Sequence, residues 1–454
     1  MESLIGDKKF YRMVLIVCIP IVIQNGFTNL ASLLDNIMIG QLGTLSMSGV
    51  SISNQLFQVF NVSVFGAMSG AGIFLAQFYG RGNRDGVHHC FRIKMLLGLL
   101  ISILAICIFK ILGPSLISLY LNDDPTASLT TLNFGKQYMD VMLIGLIPFA
   151  ITQVFSSSLR ETGNTVLPMK ASVIAVIVNF CINYILIFGH FGFPKLGVIG
   201  AAIGTVVSRI VEMGINIAAG LNNNYLRDAM RLDKISGDIF KNVVKRGMPL
   251  LCNEILWSIS IALISQCYST RGLSAVAAIN VTTTVTNFFM IICYAMGNSI
   301  SIIVGQRLGA GEIEYAKDCD LKMVFMNFMM CLCIGMALFL CSSFIPQIYN
   351  TSIEVKSLAT SLLRVSACML PIISLYYSSY FTMRAGGKTL LTFFFDSGYT
   401  FMFTFMVALC LTRFTNLPIF NVYLLVQCVD IPKAVLGITL VKKGIWVHNI
   451  VNEL

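Results

Sequence analysis

The sequence predicts an all-α polytopic membrane protein, with 12 transmembrane helices arranged as two pseudo-symmetric six-helix bundles. Three observations predict it. Of 454 residues, 56% are hydrophobic and only 11% are charged, against about 25% charged in a soluble domain. The apolar residues gather into twelve stretches long enough to cross a bilayer, which takes about 20 residues each. Polar motifs in the first half also recur, in order, in the second. A soluble globule of this composition would lack the polar surface to cover its core. Disorder is excluded because so much apolar side chain must be buried.

The apolar stretches run at about 11–39, 46–79, 93–118, 133–159, 166–189 and 197–220, then at 243–268, 274–305, 322–344, 357–383, 390–412 and 419–441. The first is too long for a signal-peptide core and reads as a retained helix. Several exceed 25 residues and should tilt, bend or project into water. Pro20 and Pro249 lie inside two of them, where a missing amide proton favours a bend. The longest polar connection, about 221–241, holds Asn222-Asn223-Asn224 and Asp233-Lys234. It divides the chain into an N-terminal lobe (1–221), a linker (222–241) and a C-terminal lobe (242–454).

An even number of spans puts both termini on one side. Of the 31 Lys and Arg, 22 fall in the loops and helix ends on the terminal side and 7 on the opposite side. Only Arg209 and Lys433 lie within spans. Under the positive-inside rule both termini are expected in the cytoplasm of a plasma-membrane protein. That placement accounts for the net charge of +10 without nucleic acid as a partner. The 14 Cys sit mostly in apolar stretches, where a reduced thiol acts as a small hydrophobe, and none has zinc spacing. His88 and His89 are adjacent, so a helix cannot aim both rings at one metal.

The internal repeat is carried by several matches. Ile19-Pro20 aligns with Met248-Pro249, and Lys94-Met95 with Lys322-Met323. "AMSGAGIFLAQFYGRGN" (67–83) aligns with "AMGNSISIIVGQRLGAGE" (295–312), and "LRETGNT" (159–165) with "MRAGGKT" (383–389). Each aligned motif falls on the same predicted side, so the repeats are parallel and related by an axis along the membrane normal. Duplication of this kind places a substrate pathway where the two bundles meet.

With "DNIMIGQLG" (35–43), "LRETGNTVLPM" (159–169) and "NFCINYILIFGHFGFPKLGVIGAAIGTVVSR" (179–209), the chain resembles the multidrug and toxic compound extrusion (MATE) transporter family over nearly its whole length. The resemblance implies a V-shaped pair of lobes. It also implies export of small organic compounds, often cationic and amphipathic, by antiport against Na⁺ or H⁺. No cofactor is expected beyond that coupling ion, and no partner beyond substrate and lipid bilayer; the chain is expected to act as a monomer.

Charged side chains inside a bilayer are costly and mark pathways or partners. Asp35 lies near the far end of the first span, and no basic residue occurs between Arg12 and Arg81. A carboxylate without a local cation suits a proton carrier or an oxygen ligand for a small hard cation. Asn179 and Asn183 are four apart on one helical face. Their amide oxygens could ligate Na⁺ or bond a protonated carboxyl, although spacing alone equally fits helix–helix hydrogen bonding. By resemblance, Asp35, Asn179 and Asn183 match the N-lobe cation site and would be the metal ligands if the ion is Na⁺; Tyr138 and Gln153 are weaker companions. Some relatives carry Asp where this chain has Asn183, which leaves Na⁺ and H⁺ both open. Glu254, five residues past Pro249, is the C-lobe candidate for coupling or for pairing with a cationic substrate. Asp396 is expected to be solvated near a helix end. Arg209 with Glu212, Asp430 with Lys433, and Lys136 with Asp140 are expected to neutralise one another along their helices.

Competing classes fare worse. An intramembrane serine protease would need a base near Ser69 in "GAMSG" (66–70), and no His lies at that depth. A prenyl-transfer enzyme would need spaced Asp clusters, whereas Asp123-Asp124 is a lone loop pair. No GxxxxGK[ST] pattern supports ATP-driven export. A lipid-linked precursor flippase would share the fold but should carry more midspan basic residues.

Overall fold

The computed structural model describes residues 4–121, 125–231, 234–349 and 351–453. The Asp123-Asp124 pair and Asp233 of the linker lie outside the described residues. Twelve helices are long and apolar enough to cross a membrane: α1 Lys8–Gly40, α2 Thr44–Gly80, α3 Arg84–Ser118, α4 Ser128–Glu161, α5 Val166–Phe188 and α6 Val198–Leu221, then α7 Gly237–Ser269, α8 Leu273–Gly309, α9 Ile313–Cys341, α10 Ile353–Ala385, α11 Thr389–Phe414 and α12 Ile419–Lys442. No strand occurs among the described residues. The all-α twelve-helix expectation is met.

Local chemistry explains several boundaries. Asn83 caps α3 by accepting from the Gly86 amide at 2.9 Å, satisfying a donor that a helix start leaves open. A tight 3₁₀ turn at Leu143–Gly145 interrupts α4 just before Pro148, whose ring crowds the carbonyl four residues back. In α11 the first turns widen to π-helix at Phe394–Gly398 and Thr400–Phe405. Apolar periodicity gives no sign of that widening.

The repeat survives as backbone geometry. Gly82 (φ 74°) and Gly311 (φ 78°), in the aligned loops after α2 and α8, both take the left-handed conformation. So do Gly163 (φ 83°) and Gly387 (φ 70°), in the aligned loops after α4 and α10. A side chain at any of the four would be strained. The outer faces are apolar: Leu100, Ile111, Leu340 and Met402 all stand exposed, as lipid-facing side chains do.

The chain divides into two compact units. One, unit C, comprises Met1–Val22, Ala76–Gly82 and Lys245–Leu454; the other, unit N, comprises Ile23–Leu75 and Asn83–Val244. In unit N, α5 packs along α6, α6 against α4, and α4 against α3. Small residues permit the close α5–α6 approach: a methyl group at Gly200 would sit 2.7 Å from the Leu186 backbone. Lys94 is fully buried and paired with Glu161, with Ser157 at 3.0 Å as a further acceptor. A buried ammonium needs such partners.

In unit C, α10 packs against α8, α9 and α12. Two apolar clusters fill it. One centres on Cys331, Leu362, Leu370 and Val422, the other on Val14, Cys18, Met296, Met383 and Trp446. The end of α2 crosses the end of α8 reciprocally: a Cβ at Gly80 would overlap the Gln306 carbonyl, and a Cβ at Gly309 would overlap that of Gln77. These four residues occupy equivalent places in the two aligned motifs. All 14 cysteines are free.

Candidate functional site

Unit N brings Asp35, Asn179 and Asn183 together. Asn183 is fully buried and Asn179 nearly so. The Asn183 Nδ2 donates to Asp35 Oδ1 at 2.6 Å and to Asn179 Oδ1 at 3.3 Å. Asn179 Nδ2 in turn donates to Thr205 Oγ1 on α6 at 3.4 Å. A polar chain therefore runs from α1 through α5 to α6. Gly204 makes it possible, since a methyl group there would overlap the Asn183 side-chain oxygen.

That oxygen, Asn183 Oδ1, is buried and has no hydrogen-bond partner among the described residues. Leaving a buried acceptor unmatched is costly. If Asp35 gains a proton, its hydroxyl becomes a donor that a rotated Asn183 amide can accept. If a hard cation enters, one carboxylate and two amide oxygens are at hand. The donor set fits either ion. No group of three or more His, Cys, Asp or Glu that could hold a metal occurs among the described residues.

Tyr138 is buried on α4 and donates to Asn54 Oδ1 at 3.2 Å. It interacts with Asp35 through space, not by a direct bond. Gln153 is half-buried on α4 and makes no hydrogen bond to this group among the described residues. Arg209 also interacts electrostatically with Asp35. Its guanidinium lies over the Phe149 ring at 4.9 Å and donates to the Gly145 carbonyl at 3.4 Å.

Arg209 and Glu212 act on each other electrostatically, as expected, but without a direct ion pair among the described residues. Glu212 accepts from Ser172 Oγ on α5 at 2.5 Å. Ser172 accepts from Gln24 at 2.9 Å, and Gln24 accepts from Arg160 at 3.5 Å. Glu212 thus joins a second polar chain that local spacing misses. Gln24, a polar residue in the middle of an apolar stretch, was its one visible sign. Asp140 likewise pairs with Lys110 of α3 at 2.7 Å instead of Lys136. Two helices that pack together offer better geometry than one turn of the same helix.

In unit C, Glu254 of α7 accepts from Tyr380 of α10 at 3.0 Å and interacts electrostatically with Arg384 and Asp396. Its neighbour Asn253 donates to Asp396 Oδ2 at 3.1 Å. Asp396 is not solvated as expected: its side chain is 14% accessible, and it pairs with the buried Lys433 of α12 at 2.9 Å. The widened turn of α11 contributes, because Lys433 also reaches the Asp396 backbone carbonyl at 3.4 Å. Lys433 therefore makes its ion pair with Asp396 and acts on Asp430 only through space, a further departure from the local-pair reading.

Twelve apolar helices, a duplicated set of loop glycines and polar side chains buried in each unit define a multi-pass membrane protein of two repeated halves. The model of the MatE family matches residues 20–185 and 249–410, one match in each repeat, and the chain belongs to that family. Among its relatives is a probable multidrug resistance protein NorM of Thermotoga maritima, 26% identical over 377 residues that cover 82% of this chain and 79% of that protein. The fold matches a MATE crystal structure in complex with MaL6 (TM-score 0.85, 20% identity, 97% of each chain covered). It also matches a mutant of the Vibrio cholerae MATE transporter VcmN (TM-score 0.86, 18% identity, 96% of this chain and 97% of that one). This chain is accordingly a membrane transporter and not an enzyme.

Proposed function

We propose that the protein exports small organic compounds, cationic and amphipathic in the main, by antiport against Na⁺ or H⁺. Its two six-helix lobes alternate access between the membrane faces, and both termini are cytoplasmic. The reading is supported by family membership and by relatives named as multidrug resistance proteins. The observation that carries it is the polar chain Asp35–Asn183–Asn179 among apolar helices. A buried carboxylate that can be neutralised by an incoming ion is a means of coupling, because the ion changes which conformation is stable. Asp35 is the ion-binding group, Asn179 and Asn183 hold it, Tyr138 and Gln153 border it, and Glu254 serves the same end in unit C.

The test is efflux of a fluorescent organic cation from proteoliposomes under separately imposed Na⁺ and pH gradients. Acceleration by one inward gradient is expected and names the ion. Efflux that ignores both gradients and simply follows the substrate gradient would replace antiport by a passive pathway.

A further inference from the structure

The pairing of Lys433 with Asp396 leaves a carboxylate over. Asp430, one turn earlier on α12, makes no hydrogen bond or ion pair among the described residues, and it lines a cavity of about 300 Å³ within unit C. That volume lies at the small end of organic-ligand sites. Six aromatic rings face it: Trp257 of α7, Tyr268 following it on the same helix, Tyr294 of α8, Tyr376 and Tyr377 of α10, and Tyr423 of α12. The hydroxyls of several are already used, Tyr294 with Tyr377 at 3.2 Å and Tyr423 with Ser366 at 2.8 Å. Their ring faces are thereby held in place.

A second polar group is left open. Thr404 is 8% exposed, lines the same cavity, and its Oγ1 has no hydrogen-bond partner among the described residues. Charge points the same way. Lys433 pairs directly with Asp396 and acts on Asp430 only through space, so two carboxylates share one ammonium and the site keeps a net negative charge. The Tyr376 ring already receives a cation, with Lys433 Nζ 4.5 Å from its centre. Aromatic faces around a carboxylate are the arrangement that holds ammonium-type cations.

We propose that this cavity binds an organic monocation, with Asp430 as its charge partner, the aromatic rings as its wall and Thr404 as a hydrogen-bonding group. The inference rests on the efflux reading and gives its substrate a place in unit C, separate from the Asp35 group.

Ethidium binding to the purified full-length protein tests it, read by ethidium anisotropy and by tryptophan emission. The chain has 2 Trp, one in the cavity wall and one in the apolar core, so emission reports on the cavity. Ethidium should quench the emission, and Trp257→Phe should remove most of the quench. Asp430→Asn should raise Kd about tenfold or more, whereas Asp430→Glu, which keeps the charge, should stay within about threefold of wild type. Trp257→Leu, which leaves the charge alone, should also weaken binding. Wild-type affinity in Asp430→Asn, equal losses in the Asn and Glu variants, or a quench untouched by Trp257→Phe would overturn the assignment. If wild-type protein moves ethidium but Asp430→Asn binds it unchanged, only this cavity assignment fails. If wild-type protein neither binds nor moves any organic cation, the efflux reading fails with it.

Discussion

Lys433 donates to Asp396 at 2.9 Å across the interface of α12 and α11, and both side chains are withdrawn from the surface. Thr400 Oγ1 at 3.2 Å completes the ammonium's contacts. A buried pair of this kind is weak evidence for net stability, because both ions lost their solvent. Removing one partner is another matter, since the survivor remains buried and uncompensated.

Lys433→Met should therefore destabilise the purified protein by about 3–5 kcal/mol, the usual loss when one partner of a buried pair is deleted. Adding Asp396→Asn to it should recover a large part, because the orphaned charge is removed too. Thermal unfolding of the two single variants and the double variant measures the coupling. Simple additivity of the single effects would mean that the two charges do not depend on each other.

Gly204 controls the Asn183 site by the absence of a side chain. Gly204→Ala places a methyl group on the Asn183 amide oxygen, and overpacking of this sort costs about 1–3 kcal/mol. Melting temperature should fall, and ion-dependent efflux should fall with it because the amide turns away from Asp35. Asn183→Ala in the same chain removes the colliding atoms. It should restore the melting temperature without restoring ion dependence.

The spans, their order and the repeat were legible because hydropathy and glycine-bearing loop motifs are local signals. Gly82 and Gly311 sit in aligned motifs and take the same φ. The charge pairs were not legible. Lys433 has Asp430 one turn away on its own helix and yet pairs 37 positions back; Asp140 likewise pairs with Lys110 on a neighbouring helix, and Glu212 takes its hydrogen bond from Ser172 on another. Each choice is settled by packing between helices, which spacing along one helix does not encode. Asn179 and Asn183 were visible as an i,i+4 pair, but their link to Asp35, 148 positions from Asn183, was reachable only through family resemblance. The widened turns of α11 had no sequence signal, and they alter where Asp396 points its carbonyl.

Gln77 ties the C-terminal segment to the end of α2. Its Nε2 donates to the carbonyls of Ala385 at 3.0 Å and His448 at 3.3 Å, and its Oε1 accepts from the Ile450 amide at 2.9 Å. Arg81 adds a bond to the Val451 carbonyl at 2.9 Å. Gln77→Ala leaves buried backbone groups unmatched, at about 1–3 kcal/mol for each. Hydrogen exchange over residues 445–453 should accelerate in that variant while the centre of α5 is unchanged. Equal protection in variant and wild type would show that the segment is held by Trp446 packing alone.

Asp35→Asn separates charge from shape. The amide that replaces the carboxyl keeps an oxygen for Asn183 Nδ2 to donate to, so the α1–α5 contact and the melting temperature should persist. The charge that an incoming cation or proton would neutralise is gone. Efflux driven by the coupling gradient should therefore fall to the rate seen with no gradient, while substrate binding is retained. Asn183→Ala should give an intermediate loss, because Asp35 keeps its charge but loses its 2.6 Å donor. The order wild type, Asn183→Ala, Asp35→Asn in gradient-driven efflux is the expected result. Full gradient dependence in Asp35→Asn would move coupling elsewhere, and the same assay on Glu254→Gln would then show whether unit C carries it.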